Sequence, residues 1–403
     1  MIKLAARNLL RHRKRTATAV AAIAFGVVCV ALIGGFFQHI YEGFAEAIIR
    51  GQTGHVQIFS SGYNEGGFRH PDRFNLGDTS ALVKSLESRP EVASVMSRLS
   101  LQGLMSNGAA DLPVVIEGGE PGKEASLSSY VRVRAGRTLE DGDDFAAVVG
   151  RGLAESLRLD VGRRTTLLAS TGGGAINTID VTVVGIFETY SQDYDARAVK
   201  VPLKVLQQLF GADVATSVVV ELVQTGQTST FLKSVDSDLR QAGLERRSWR
   251  ELADFYEKTV ELYDGQYRVL RVIVIVLLFL SVANAVGMSM YERTPEFATM
   301  MSLGTRRRRV AAQVFLEVIL LALVGAIVGV VLAVLLAQLI SWIGIDMPPG
   351  PNSTLGYTGK IILSFRLCFE AVLIGLCAGA LSSVPALRRI LKLDISDGLR
   401  QAI

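Results

Sequence analysis

The chain has 403 residues, of which 49% are hydrophobic and 20% charged, with a mean hydropathy of +0.35. That balance excludes a disordered chain, and the clustering of the apolar residues into four blocks excludes a purely soluble one. The net charge of +4 conceals opposites: residues 1–16, 291–310 and 386–403 hold 15 Lys/Arg against 4 acids, whereas residues 40–267 hold 23 against 31, so no basic domain face suited to nucleic acid is present.

Residues 1–16 are a basic N-terminus. The first membrane span is expected at 17–39, with the 21-residue core Ala17–Phe37 free of charge. Roughly 20 apolar residues cross a bilayer. Arg11, Arg13, Lys14 and Arg15 before an apolar run also suit a signal peptide. The run exceeds a typical signal core, and no small-x-small cleavage site follows, so a retained span is predicted.

An extracytoplasmic α+β domain is predicted at 40–267, with helical stalks at both ends. In the first stalk Phe37, Tyr41, Phe44 and Ile48 recur at four, three and four residues, an a/d seam. Glu42, Glu46 and Arg50 share another face, with Glu46 placed for Arg50, and Gly51 and Gly54 end the helix. After Trp249 the second stalk repeats Leu252, Phe255, Tyr256, Thr259, Leu262, Tyr263 and Leu270 at helical spacing. Between the stalks, strands are predicted at 55–59, 92–105, 111–117, 147–150, 165–169, 181–187 and 217–222. Helices are predicted at 79–89, 152–159, 202–210 and 230–242. Residues 64–78 read as a loop, and Gly172-Gly173-Gly174 as a hairpin tip.

The second span is predicted at 268–291, with Asn284 a polar residue inside it. A cytoplasmic loop follows at 292–309, a third span at 310–343 and a short external loop at 344–366. A fourth span at 367–387 and a cytoplasmic tail at 388–403 complete the chain. Lys and Arg mark cytoplasmic ends. The clusters before span 1, at Arg306–Arg309 and after span 4 agree, which puts both termini inside and the large domain outside. Glu317 in span 3 should face protein or a water-filled cavity, as a hydrogen-bonded or protonated acid, because a lipid-facing carboxylate is costly. Gly325 with Gly329, and Gly375 with Gly379, let helices approach closely, most simply within the chain.

No catalytic constellation stands out. His12, His39, His55 and His70 form no metal-ligand spacing. Cys29, Cys368 and Cys377 lie in apolar blocks and read as small buried hydrophobes. Glu140, Asp141, Asp143 and Asp144 lack a calcium-loop pattern and read as a solvated turn. Gly122-Lys123-Glu124 lacks the rest of a phosphate loop, and no GxxxxGK[ST] occurs, so the chain is not expected to hydrolyse ATP itself. The loop at 292–309 is the informative segment. Pro295 suits the first turn of a short helix, with Thr294 as N-cap. Phe297, Met300 and Met301 make an apolar face for lipid or for a partner's groove. Gly304 supplies the stop.

At this loop the sequence resembles the permeases of the MacB/FtsX superfamily of ABC transporters. Their Glu-Arg-x-x-Glu-[Ile/Phe]-x-x-x-x-x-Leu-Gly motif appears as Glu292, Arg293, Glu296, Phe297, Leu303 and Gly304. The resemblance extends over nearly the whole chain. It takes in Ala6–Arg11, Val148–Gly150 with Leu153 and Leu157, Val183–Phe187, Ser248-Trp249, the closing Pro385–Arg389, and Asp394 to Arg400. It implies a four-span, 1 + 3 permease of the cytoplasmic (inner) membrane with its large domain in the periplasm. Such a permease pairs with a second permease subunit, in a homodimer or heterodimer, and binds two copies of a separate cytoplasmic ATPase that holds the ATP and Mg. The chain itself would hold no cofactor or metal and would be no enzyme. The loop helix, including Thr294, Pro295 and Met300, would be the coupling helix, and the stalks would carry motion outward.

Length and the Gly54–Ile58 strand are most similar to the lipoprotein-releasing LolC/LolE permeases, as is the loop Asp346–Pro351 to the broader group. That likeness implies extraction or export of lipoprotein or other lipophilic cargo. An FtsX-like transducer that activates a periplasmic enzyme is the alternative, and an independent membrane enzyme a distant third.

Overall fold

The computed structural model describes residues 13–66, 74–127, 130–348 and 356–392. The basic segment before Arg13, the motif residues after Lys392, His12, His70, Pro349 and Pro351 lie outside them.

In chain order the elements are α1 (Arg13–Ile48), a π turn (Ile49–Thr53), β1 (Val56–Ser60), α2 (Tyr63–Gly66), α3 (Ser80–Glu87), β2 (Val92–Ser106), β3 (Asp111–Gly119) and α4 (Pro121–Leu127). Next come β4 (Arg132–Gly136), β5 (Ala146–Gly150), α5 (Arg151–Leu157), β6 (Arg164–Ser170), β7 (Ile176–Glu188), α6 (Gln192–Asp195), β8 (Ala198–Pro202), α7 (Leu203–Phe210) and β9 (Ser217–Leu222). The chain continues with α8 (Thr228–Gln241), β10 (Leu244–Ser248), α9 (Trp249–Leu252), α10 (Asp254–Glu292), α11 (Thr294–Ser302), α12 (Arg307–Ile343), β11 (Ile345–Met347), β12 (Tyr357–Gly359) and α13 (Phe365–Lys392). These fall into two compact units. One is helical (Met1–Tyr41, Val260–Asp346, Thr358–Ile403) and one is built on a sheet (Glu42–Thr259, Met347–Tyr357).

In the sheet unit the strand order is β10-β1-β9-β2-β3-β8-β5-β7-β4, with β6 pairing β2 and β7. Most neighbours are antiparallel, but β3 with β8 and β5 with β7 are parallel. Every residue of β5 and β8 is buried. Strands covered on both faces lose alternation and read as apolar runs. β7 keeps the alternation of a half-buried strand. The 15-residue β2 is long enough to serve two cores. Leu99, Met105, Ile116, Val149, Leu153, Leu167, Val183 and Leu206 form one. Val56, Ile58, Val95, Val218, Val220, Phe231 and Val235 form the other.

The glycine-rich tip joins β6 to β7 as expected, with the Thr171 amide donating to the Ala175 carbonyl at 2.7 Å. Several elements are additions to the expected pattern. β8 carries Lys200 at its centre, β4 and β10 are rich in Arg, and α4 contains Gly122-Lys123-Glu124. The described part of the expected loop at 64–78 holds the end of α2 and a bridge from Leu76 to Ala215. Within the acidic turn, Asp143 pairs with Arg137 at 2.7 Å and Asp141 accepts from the Gly122 amide at 3.0 Å.

Among the described residues, four helices are long and apolar enough to cross a membrane. In the helical unit Ile23, Val27, Ala31, Val282, Val286, Phe297, Val314, Val318, Ala322 and Ala326 share one core. The glycine pairs make that packing possible. A Cβ added at Gly325 would lie 2.8 Å from Ile23 Cβ, and one at Gly329 would lie 2.8 Å from Val27 Cβ. At Gly375 it would meet Val27, and at Gly379 it would meet Ala322. Both pairs therefore serve contacts inside the chain, of the small-residue type that brings helix backbones together. The cysteines depart from expectation: Cys29 and Cys368 are only half-buried and Cys377 is exposed.

Candidate functional site

The conspicuous site of the helical unit is α11 and what holds it. Pro295 stands in its first turn, where a missing N–H costs nothing. Thr294 is the first helical residue rather than the cap. Arg293 occupies the cap position, and the Thr294 hydroxyl instead donates to the Met290 carbonyl at 3.1 Å. At the other end Gly304 has φ +91°. Its amide donates to Met301 O, and the Thr305 amide donates to Met300 O, both at 3.0 Å. This is the Schellman arrangement, which requires a left-handed residue at that position and so favours glycine.

The apolar face of α11 points inward. Phe297 is 2% exposed and Met301 is 6% exposed, with Met300 packed against the same core. Burying a Phe side chain is worth about 1.5–3 kcal/mol. This corrects the expectation that Phe297, Met300 and Met301 are offered to lipid or to a partner. What remains outside is Glu292, Glu296, Thr299, Ser302 and Leu303, the last 82% exposed.

Arg293 and Glu317 lock this geometry. The two are 8% and 4% exposed, and Arg293 Nη1 lies 2.5 Å from Glu317 Oε2. Arg293 Nε also donates to Glu296 Oε2 at 3.1 Å, and its guanidinium sits 5.1 Å from the Phe297 ring centre. Glu317 thus faces protein, as expected, and is hydrogen-bonded there by Arg293. A charge buried among apolar groups persists where a counter-charge and hydrogen bonds compensate it. Its partner lies 24 residues away, on the loop motif itself. Asn284, by contrast, lies on an exposed face of α10.

The stalk residues separate into two groups. In the helical unit Phe37 is buried, with ring centres 6.2 Å from Tyr41, 6.4 Å from Tyr263 and 5.3 Å from Tyr267. In the sheet unit Phe44 stacks on Tyr256 at 5.5 Å and meets Phe255 edge-on at 6.1 Å. Tyr256 in turn meets the buried Trp249 at 4.8 Å. Aromatic pairs at such distances add about 0.5–1.5 kcal/mol beyond area burial. The seam is incomplete: Ile48 is half-buried, Phe255 is 41% exposed and Leu262 is 57% exposed. Leu252 belongs to α9, so the second stalk begins only at Asp254. Glu46 and Arg50 pair at 2.8 Å, as their spacing predicts.

Two sequence-family models match the chain. The FtsX-like permease C-terminal model matches residues 268–395. The MacB-like periplasmic core domain model matches residues 16–237, more than half of the chain. The chain belongs to the MacB/FtsX superfamily of ABC transporter permeases. Among relatives of this MacB/FtsX permease, the macrolide export ATP-binding/permease protein MacB of Sodalis glossinidius (strain morsitans) is 24% identical over 343 residues, covering 79% of this chain and 49% of the relative. The chain therefore spans about half the length of that protein. The lipoprotein-releasing system transmembrane protein LolC of Neisseria meningitidis serogroup B is 22% identical over 311 residues, covering 73% of this chain and 72% of the relative. Solved structures similar to it include the periplasmic region of MacB from Actinobacillus actinomycetemcomitans (14% identity, TM-score 0.38, 52% of this chain and 95% of that one). Another is the extracellular domain of the ABC-type transporter YknZ from Gram-positive bacteria (18% identity, TM-score 0.32, 43% and 87%).

Proposed function

We propose that this chain is the permease subunit of an ABC transporter whose ATP hydrolysis takes place on a separate cytoplasmic ATPase. The observation that carries the reading is α11: a short helix with its apolar face and Arg293 locked inward, and Glu296 and Leu303 left outside. A helix held this way moves with the membrane helices when its outer face is pushed. In this reading Glu292, Arg293, Thr294, Pro295, Glu296, Phe297, Met300, Leu303 and Gly304 form the coupling element. Arg293 and Phe297 anchor it, and Glu296 and Leu303 meet the ATPase. The basic clusters keep both termini in the cytoplasm, so the spans fall in a 1 + 3 order and the sheet unit lies outside the inner membrane. The permease works as a dimer, and α1 and α10 carry motion outward.

The cargo class we favour is lipoprotein or another lipophilic molecule, supported by the likeness to LolC. The test is reconstitution with the cognate ATPase in liposomes. Lipoprotein-stimulated ATP hydrolysis is the expected result, and hydrolysis indifferent to every lipophilic cargo contradicts this cargo class. The FtsX-like reading, activation of an external enzyme, predicts instead that the intact complex captures a hydrolase through residues 40–267.

A further inference from the structure

The first stalk ends on a part-buried hydrogen-bond chain that the coupling reading leaves unused. After α1 the backbone makes the π turn, and Gly54 follows at φ +67°. The next residue, His55, has no exposed surface. The Leu222 amide lies 3.1 Å from His55 Nδ1. An amide N–H only donates, so Nδ1 carries the lone pair and the ring proton sits on Nε2. Nε2 lies 3.0 Å from Thr225 Oγ1, so the ring donates and the hydroxyl accepts. The hydroxyl's own proton is then donated to Glu46 Oε1, on α1. The other carboxylate oxygen accepts from Arg50 Nε at 2.8 Å, and Arg50 Nη1 lies 3.6 Å from Glu221 Oε1 on β9.

The backbone of His55 completes the junction. Its amide donates to Val220 O at 2.9 Å, and its carbonyl accepts from the Trp249 amide at 3.0 Å. Trp249 opens α9, which leads into α10. One residue therefore holds β9 twice, the first stalk through Thr225, and the base of the second stalk. Hydrogen bonds weaken steeply when bent, so this chain transmits rotation of the stalk as well as its pull.

We propose that His55 and Thr225 are positioning residues that form the joint by which movement of the stalk helices reaches the sheet. The proposal rests on the permease reading above. Its test is hydrogen exchange on the full permease–ATPase complex in nanodiscs, with and without ATP plus vanadate, read at β1, at β9 and at α11. Wild type should show an ATP-dependent change at all three. Thr225→Val, which keeps the shape and removes the hydroxyl, should lose at least threefold of the change at β1 and β9 while α11 still responds. Thr225→Ser should restore it. Glu46→Ala, at a partly exposed position that threatens folding least, should behave like Thr225→Val.

Thr225→Val with the full wild-type response at the strands overturns the joint, and so do Ser and Val variants that lose it equally. Wild type that responds at α11 alone also defeats the joint and spares the permease reading. Wild type that responds nowhere removes the permease reading and the joint with it.

Discussion

Both units bury charge, and they do it differently. In the helical unit one cation and one anion, Arg293 and Glu317, meet at 2.5 Å, with the exposed Glu296 as an outer partner. In the sheet unit three elements contribute: Glu124 of α4 lies between Lys200 of β8 at 2.8 Å and Arg98 of β2 at 3.5 Å. Arg98 also donates to the Gln52 carbonyl in the π turn. Burial alone raises the Glu124 carboxyl, but Lys200 and Arg98 hold it down at about 2. Nearby, burial and the Glu117 carboxylate push the Tyr194 phenol well above its usual range. The network sits among strands already braced by ladder hydrogen bonds. The Arg293–Glu317 pair instead clamps a nine-residue helix with few other polar ties. Loss of either carboxylate strands buried cations, Arg293 in the first case and Lys200 with Arg98 in the second.

The largest expected effects follow from that comparison. Glu317→Ala leaves Arg293 buried without its partner and should cost about 3–5 kcal/mol, read as the unfolding midpoint of the full chain in detergent. Replacing both residues with leucine should recover most of the loss. If the single variant is as mild as the double, the pair is no clamp. Glu124→Ala strands the buried Lys200 and Arg98 together and should cost a similar amount, about 3–5 kcal/mol.

Acid gives a sharper separation of the units. Burial lowers His55 to about 4 from an ordinary 6.5. The unfolded chain thus takes up a proton that the folded one refuses, and the stability this residue contributes is complete above pH 6.5. It should fall by about 3 kcal/mol as pH drops from 6.5 to about 4. Glu124 adds a second loss between about 4.5 and 2, because its carboxylate must be protonated. Asp195, raised by burial to about 6, works in the opposite sense and gains stability as it protonates. Fluorescence of Trp249, in the sheet unit, checks the first window. Asp195 offsets much of that loss in the same window, so His55→Gln should make stability rise as pH falls from 6.5 to about 4, and an unchanged slope would show that another group titrates there.

Gly325→Leu should cost about 1–3 kcal/mol by overpacking, because Ile23 already fills the space that a Cβ would need. A neutral result would mean that α1 and α12 are free to separate.

These contrasts also show what was legible in the sequence. Strands with apolar runs or alternation, such as β5, β7 and β9, announce themselves because burial on one or two faces leaves a period. β8 does not, since Lys200 interrupts Ala-Val-x-Val, and only its salt bridge to Glu124 explains why a lysine is tolerated there. β10 (Leu-Glu-Arg-Arg-Ser) is half-buried throughout and has no apolar period. The existence, start and stop of α11 could be read from Pro295 and Gly304. The direction of its apolar face could not, because amphipathicity fixes a face and not its partner. The one available signal was the lone carboxylate in the third span, which required a cation somewhere, and the loop motif supplied Arg293.

The smallest effect on stability belongs to the outer face of α11. Glu296→Gln keeps an acceptor for Arg293 Nε and Leu303→Asp alters an exposed side chain, so each should change unfolding by less than about 0.5 kcal/mol. They are nevertheless the variants that bear most directly on function. The decisive measurement is cargo-stimulated ATP hydrolysis by the cognate ATPase, reconstituted with wild type or with each variant inserted to the same level. The account predicts at least tenfold less stimulation in both variants with unfolding midpoints unchanged. Wild-type stimulation in both would contradict the assignment of α11 as the coupling helix.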